Sequence, residues 1–172
     1  MQNRFELPTA RLILIGADEE LLRAELDGKG ALAGAIDCAV PPAWPPEHHD
    51  RGVIEWVLKS LDVLAPESPW RFFYVVLQKP RTVIGTCGFK GAPDERGYVE
   101  VGYSVLEEFR RLGFASEAVM ALMTVAFETG ASEVAAETFP SLLPSLRVME
   151  KCGMTKVGEG TEVGTVRYSK RL

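Results

Sequence analysis

With 172 residues, 47% of them hydrophobic and 25% charged, the chain has the proportions of one globular domain that can bury a core. A net charge of −5 and a pI near 5.2 argue against a general nucleic-acid binder, which carries a basic footprint. No apolar run reaches the roughly 18 residues needed to cross a bilayer, and MQNRFELPTARL lacks the basic-then-apolar order of a secretory signal.

The three cysteines, Cys38, Cys87 and Cys152, are an odd number without CxxC spacing, and the paired His48 and His49 diverge if helical. The expectation is a cytoplasmic protein with reduced thiols and no bound metal. No repeat or low-complexity linker divides the sequence, so residues 1–172 are read as one domain.

Residues 10–17, ARLILIGA, read as a strand, and Asp18 is a plausible N-cap for a helix through Asp27. Residues 28–50 contain small residues, Pro41, Pro42, Pro45, Pro46 and Trp44, and are expected to form a shaped loop. From Glu47 to Leu64, Val53, Ile54, Val57, Leu58, Leu61 and Leu64 recur at helical spacing.

Residues 71–78 and 82–91 read as strands around a Lys-Pro-Arg turn. In 97–106, Val99, Val101, Tyr103 and Val105 alternate with Glu100, Gly102 and Ser104. A helix is predicted from Phe114 to Thr129 with Gly130 as its stop, then a strand at 132–139 and a helix at 144–153 ending on Gly153. A closing hairpin follows, and this order makes a mixed α/β sheet with helices packed on it.

Arg110 and Arg111 precede the helix at Phe114, where the helix dipole disfavours cations. A bound anion accounts for them. The first N–H groups of a helix have no internal acceptor, and together with the dipole they suit phosphate oxygens. Gly113 lets a ligand approach the backbone and Ala115 keeps the turn small. Neither GxxxxGK[ST] nor GxGxxG is present at this turn. A solvated turn would carry the same arginines.

Three blocks in order, TARLIL, EVGY followed by RRLGFA, and SLRVMEKCG, resemble the GNAT superfamily of acyl-CoA-dependent N-acetyltransferases, with the ribosomal-protein N-terminal acetyltransferases (the Rim type) as the nearest branch. The resemblance implies a mixed, largely antiparallel sheet of about six to seven strands with helices on both faces, splayed at the cofactor-binding strand. It implies acetyl-CoA as cofactor, with Arg110, Arg111, Leu112, Gly113, Phe114 and Ala115 around the diphosphate. Ser104 and Val105 would lie against the pantetheine, and Ser116 would add a donor. The sequence departs from the family pattern at Leu142, where an asparagine is usual, and at Met154, where an aromatic is usual.

Transfer to an amine needs a base, because an alkylammonium has a pKa near 10. Glu100, mid-strand opposite the valines, is the candidate, acting through a water; a carboxylate there also suits a solvated sheet face. Ser145 matches the family serine and is the candidate donor to the departing thiolate, although helix-start serines also satisfy backbone N–H groups. Tyr103 is an alternative. No Ser–His–Asp or Cys–His set is arguable, so direct transfer in a ternary complex is expected.

The acceptor is a small-molecule amine or a protein N-terminus. Trp44 is a candidate to wall its pocket and Glu47 or Asp50 to hold its ammonium, while Trp44 could equally anchor the proline-rich loop to the core. No nucleic-acid or membrane partner is expected, and the chain is read as a monomer or homodimer. The competing expectation is a degenerate domain, motivated by Leu142, that binds acyl-CoA or a partner without catalysis.

Overall fold

The computed structural model describes residues 4–172. Eight strands form one sheet in the order β1-β2-β3-β4-β5-β6-β8-β7. They are β1 (Glu6–Pro8), β2 (Leu12–Gly16), β3 (Phe72–Leu77), β4 (Thr82–Phe89), β5 (Tyr98–Val105), β6 (Glu133–Thr138), β7 (Thr155–Glu159) and β8 (Val166–Arg171). Every neighbouring pair is antiparallel except β5–β6. The helices are α1 (Glu19–Asp27), α2 (Lys29–Ile36), α3 (Arg51–Leu61), α4 (Phe114–Glu128) and α5 (Leu143–Lys151), with a 3-10 turn at Glu107–Phe109.

The central strands are apolar on both faces because both are covered. Leu12, Leu14, Phe73, Val75, Val99 and Val101 pack with Phe114, Val119, Leu122 and Met149 of α4 and α5. The alternate residues Ile15, Tyr74, Val76 and Val83 pack with Leu21, Leu22, Leu32, Ile36, Ile54 and Val57 of α1, α2 and α3. The sheet is thus the middle of three layers.

The strand count exceeds the expected six to seven because short β1 pairs beyond β2 at the edge. A second correction concerns residues 28–50, expected to form a loop throughout. The prolines begin only at Pro41, and the preceding KGALAGAI forms α2, with Leu32 and Ile36 one turn apart and buried. The third helix starts later than Glu47 because Asp50 caps it, accepting from Val53 N–H at 3.1 Å. Asp18 caps α1 as expected, accepting from Leu21 N–H at 2.8 Å.

Candidate active site

The strand before α4 and the strand after it run parallel but stay together only briefly. β5 and β6 pair at Tyr98–Glu133, Val99–Val134 and Glu100–Ala135, whereas β5 continues to Val105 against β4. Beyond Glu100 a gap opens between the two strands. The Glu100 carbonyl accepts from Lys90 N–H at 2.9 Å, and Leu106 N–H donates to Ile84 at 2.8 Å, so even-numbered residues turn their backbone groups toward β4. By alternation, the Val101 carbonyl and the main chain of Tyr103 and Val105 face the gap, the Val101 N–H still serving the last rung at Glu100–Ala135.

Tight packing holds this edge in place. Gly85 faces Val105, and a Cβ at Gly85 would lie 2.3 Å from the Ser104 carbonyl oxygen. Ser104 therefore directs its main chain at β4 and has only its side chain to offer a ligand, while Val105 borders the gap. The Val105 carbonyl already accepts from Arg110 Nε at 2.9 Å.

At the end of this gap α4 begins without a side-chain cap. Its N-cap is Gly113 at φ 82, and Arg111 also has positive φ, 63. A left-handed arginine costs about 1–2 kcal/mol, the kind of local strain that collects at binding sites. The first intrahelical bond at this end runs from Glu117 N–H to the Gly113 carbonyl, 3.0 Å, so the N–H groups of Phe114, Ala115 and Ser116 point out of the helix. The Phe114 and Ser116 side chains are buried, and those two residues contribute backbone only to the helix mouth.

Cations that sequence reading missed also converge here. A Cβ at Gly113 would lie 3.3 Å from Arg11 Nη2 and 3.4 Å from Lys151 Nζ. Arg11 is held by Glu117 (2.7 Å) and the Leu112 carbonyl (2.9 Å), and its guanidinium lies over the Phe114 ring at 4.4 Å. Both residues lie inside the family-like blocks, TARLIL and SLRVMEKCG; the signal was there, but only the fold brings them beside Gly113. Leu112 is exposed at the same turn.

The two candidate catalytic side chains stand on opposite faces of β5. Glu100 has a side chain 13% exposed and is ion-paired with Lys90, so it is not on an open, solvated face. Opposite, Tyr103 Oη lies 2.9 Å from Ser145 Oγ and 3.0 Å from the Ser145 carbonyl. Burial pushes the Tyr103 phenol up to about 12, the Ser145 hydrogen bond pulls it down, and Cys152 adds a small upward push. Ser145 does not cap α5, whose N-cap is Leu142 with no side-chain bond. The residue that replaces the family asparagine thus leaves that helix end uncapped.

The acceptor-side residues are placed differently from their expected roles. Trp44 is 4% exposed, with Nε1 donating to Glu25 at 2.6 Å, and it packs near Tyr74 and His49. It anchors the proline-rich loop to the core and does not wall an open pocket. Glu47 pairs with Arg110 at 2.9 Å, tying the same loop to the end of β5. Arg110 is thereby engaged twice, and Arg111, exposed at its left-handed position, is the freer of the two arginines at the helix mouth.

A parallel strand pair thus parts before an uncapped helix, on a mixed α/β sheet layered between helices. Comparison with known proteins gives the family. The Acetyltransferase (GNAT) domain family matches residues 21–155, and the chain belongs to that family.

An uncharacterized N-acetyltransferase p20 of Bacillus licheniformis is 29% identical over 103 residues, 59% of this chain and 58% of that protein. The matched stretches span about half the length of the curated relatives. Among solved structures, the ribosomal-protein-S5-alanine acetyltransferase of Vibrio fischeri superposes with a TM-score of 0.68 at 18% identity, covering 97% of this chain and 96% of that one. RimL, a ribosomal L7/L12 α-N-protein acetyltransferase solved in complex with coenzyme A, gives 0.69 at 19% identity, covering 98% of each chain. Among the described residues no helix is long and apolar enough to cross a membrane.

Proposed function

We propose that this chain transfers an acetyl group from acetyl-CoA to a primary amine, a small-molecule amine or a protein N-terminus, by direct attack in a ternary complex. One observation carries the reading. The uncapped start of α4, opened by Gly113 and flanked by Arg11, Arg111 and Lys151, lies at the end of a sheet gap bordered by the Tyr103 main chain, which has no partner strand on that side. Such a helix mouth fits a diphosphate, and the gap fits the extended, amide-bearing arm that follows it in coenzyme A. The donor substrate supplies an activated thioester.

The chain's own groups then divide the work. The N–H groups of Phe114, Ala115 and Ser116 hold the diphosphate, with Arg111 and Lys151 as counter-charges. Glu100 takes the surplus proton of the incoming amine through a water, from the face that α4 and α5 do not cover. Ser145, across the strand, donates a hydrogen bond to the departing sulfur. Family membership and the likeness in fold to RimL support the peptide N-terminus as one acceptor class. Three free cysteines fit a cytoplasmic setting.

The test is thiol release from acetyl-CoA over a panel of small amines and N-terminal peptides. Turnover with at least one of them is expected. Coenzyme A binding without turnover across the panel would identify a binding domain instead. In the active protein Glu100→Gln should lower the rate by about 10²-fold near pH 7, with recovery as rising pH deprotonates the free amine. An unchanged pH–rate profile removes Glu100 as the base.

A further inference from the structure

We infer that Tyr103 is the positioning residue for Ser145, its phenol deciding whether the serine hydroxyl turns toward the strand or toward a sulfur leaving through the gap. The inference rests on the proposed acetyl transfer. The geometry behind it is a three-atom set: Tyr103 Oη lies 2.9 Å from Ser145 Oγ and 3.0 Å from the Ser145 carbonyl oxygen. The carbonyl can only accept. A phenol that donates to it must accept from the serine hydroxyl, whose single proton is then held at Tyr103.

If the phenol proton turns onto Oγ instead, the pair reverses. Ser145 Oγ then accepts from Tyr103, and its own proton is free to point into the gap. Both arrangements use the same heavy-atom positions, so the exchange needs only rotation of two hydroxyls about their C–O bonds. Tyr103 sits on the part of β5 that has already parted from β6, beyond Glu100. Its ring packs against the core beneath α4 and α5. Because burial holds the phenol neutral well above neutral pH, it is a donor throughout the working range.

In the reaction the amine nitrogen bonds to the acetyl carbon. The carbon–sulfur bond breaks and its electron pair passes to sulfur. The nitrogen's surplus proton leaves through water toward Glu100, and the released thiolate takes a proton from solvent. Ser145 keeps its proton throughout, since an aliphatic alcohol is a much weaker acid than a thiol of pKa about 8.5. Its part is to donate a hydrogen bond to the developing thiolate. A hydroxyl that itself accepts from Tyr103 is a stronger donor, because consecutive hydrogen bonds polarise each other.

The experiment is a double-mutant cycle on Tyr103→Phe and Ser145→Ala, read in two ways. The first readout is the pKa of the thiol of bound coenzyme A, followed by thiolate absorbance during a pH titration; the second is kcat with acetyl-CoA and an accepted amine. Tyr103→Phe is expected to raise the bound thiol's pKa and lower kcat about five- to tenfold, with coenzyme A affinity within about twofold of wild type. In the Ser145→Ala background it should change neither. Additive losses, or a bound-thiol pKa that Tyr103→Phe leaves unmoved, overturn the inference.

If Tyr103→Phe fails to fold, 3-fluorotyrosine at position 103 keeps the packing and strengthens the donor. It should lower the bound thiol's pKa, and no shift overturns the inference. A wild-type protein whose bound thiol responds to Tyr103 but which acetylates nothing in the panel refutes the proposed transfer and leaves the hydrogen-bond arrangement standing. Failure to bind coenzyme A refutes both.

Discussion

Glu25 lies in α1 with its side chain 5% exposed, yet it is fully partnered. Oε1 accepts from Trp44 Nε1 at 2.6 Å and pairs with His49 Nε2 at 2.9 Å, and Oε2 accepts from Tyr74 Oη at 2.6 Å. His49 stacks on Phe72 at 5.3 Å, and its Nδ1 is buried without a partner. One carboxylate therefore fastens the proline-rich loop to β3. Glu25→Ala would strand three buried side chains, two on the proline-rich loop and one on β3, and is expected to cost about 3 kcal/mol, read as a lower urea midpoint at unchanged m-value. Composition alone does not reveal this cluster, because its members are spread from residue 25 to residue 74 and only Trp44 stands out in the sequence.

The opening of α4 is the decisive element. Its existence was legible from the apolar spacing after Gly113 and the stop at Gly130, and so was the oddity of arginines at a helix N-terminus. What the sequence could not give was their division of labour. Arg110 turns back to Val105 and Glu47, while Lys151 and Arg11, distant in the chain, stand at the helix mouth. Gly113→Ala tests the mouth directly. At φ 82 an added Cβ costs about 1 kcal/mol and pushes against the ends of Arg11 and Lys151, which can shift. The protein should remain folded while its affinity for coenzyme A, measured by calorimetry, falls about tenfold; an unchanged affinity would place the diphosphate elsewhere.

At the scale of the whole molecule the ionisable groups bound a window of stability. Burial raises the thiols of Cys38 and Cys152 to about 11 and that of Cys87 further, and raises the Tyr74 and Tyr103 phenols. A raised folded-state pKa gives stability that is complete below the unfolded value, about 8.5 for a thiol and 10 for a phenol, and is lost as pH climbs above it.

The carboxylates act in the opposite sense. Desolvation would raise Glu117 and Glu137, but the Thr9 hydroxyl and the Arg11 amide and guanidinium outweigh it at Glu117, and the Thr161 amide and Arg167 do so at Glu137; both end lowered. Their contribution is present above the ordinary carboxylate range and is lost as pH falls through it. The urea midpoint is therefore expected to be flat from about pH 5 to 8, declining on the alkaline side before any phenol of the unfolded chain titrates. A midpoint still rising at pH 10 would contradict the burial of the thiols.

The sequence by itself determined the layered α/β class, most element positions and the family-like blocks, because hydrophobic period, caps and glycine stops are local properties of neighbouring residues. It misread 28–50, where a proline-rich half obscured an alanine-rich helix. Only the tertiary structure decided that Trp44 is a core anchor, that Lys90 partners Glu100, and that Tyr103 meets Ser145 where β5 leaves β6. These are contacts between segments far apart in the chain, fixed by strand order and register, and no local pattern encodes them.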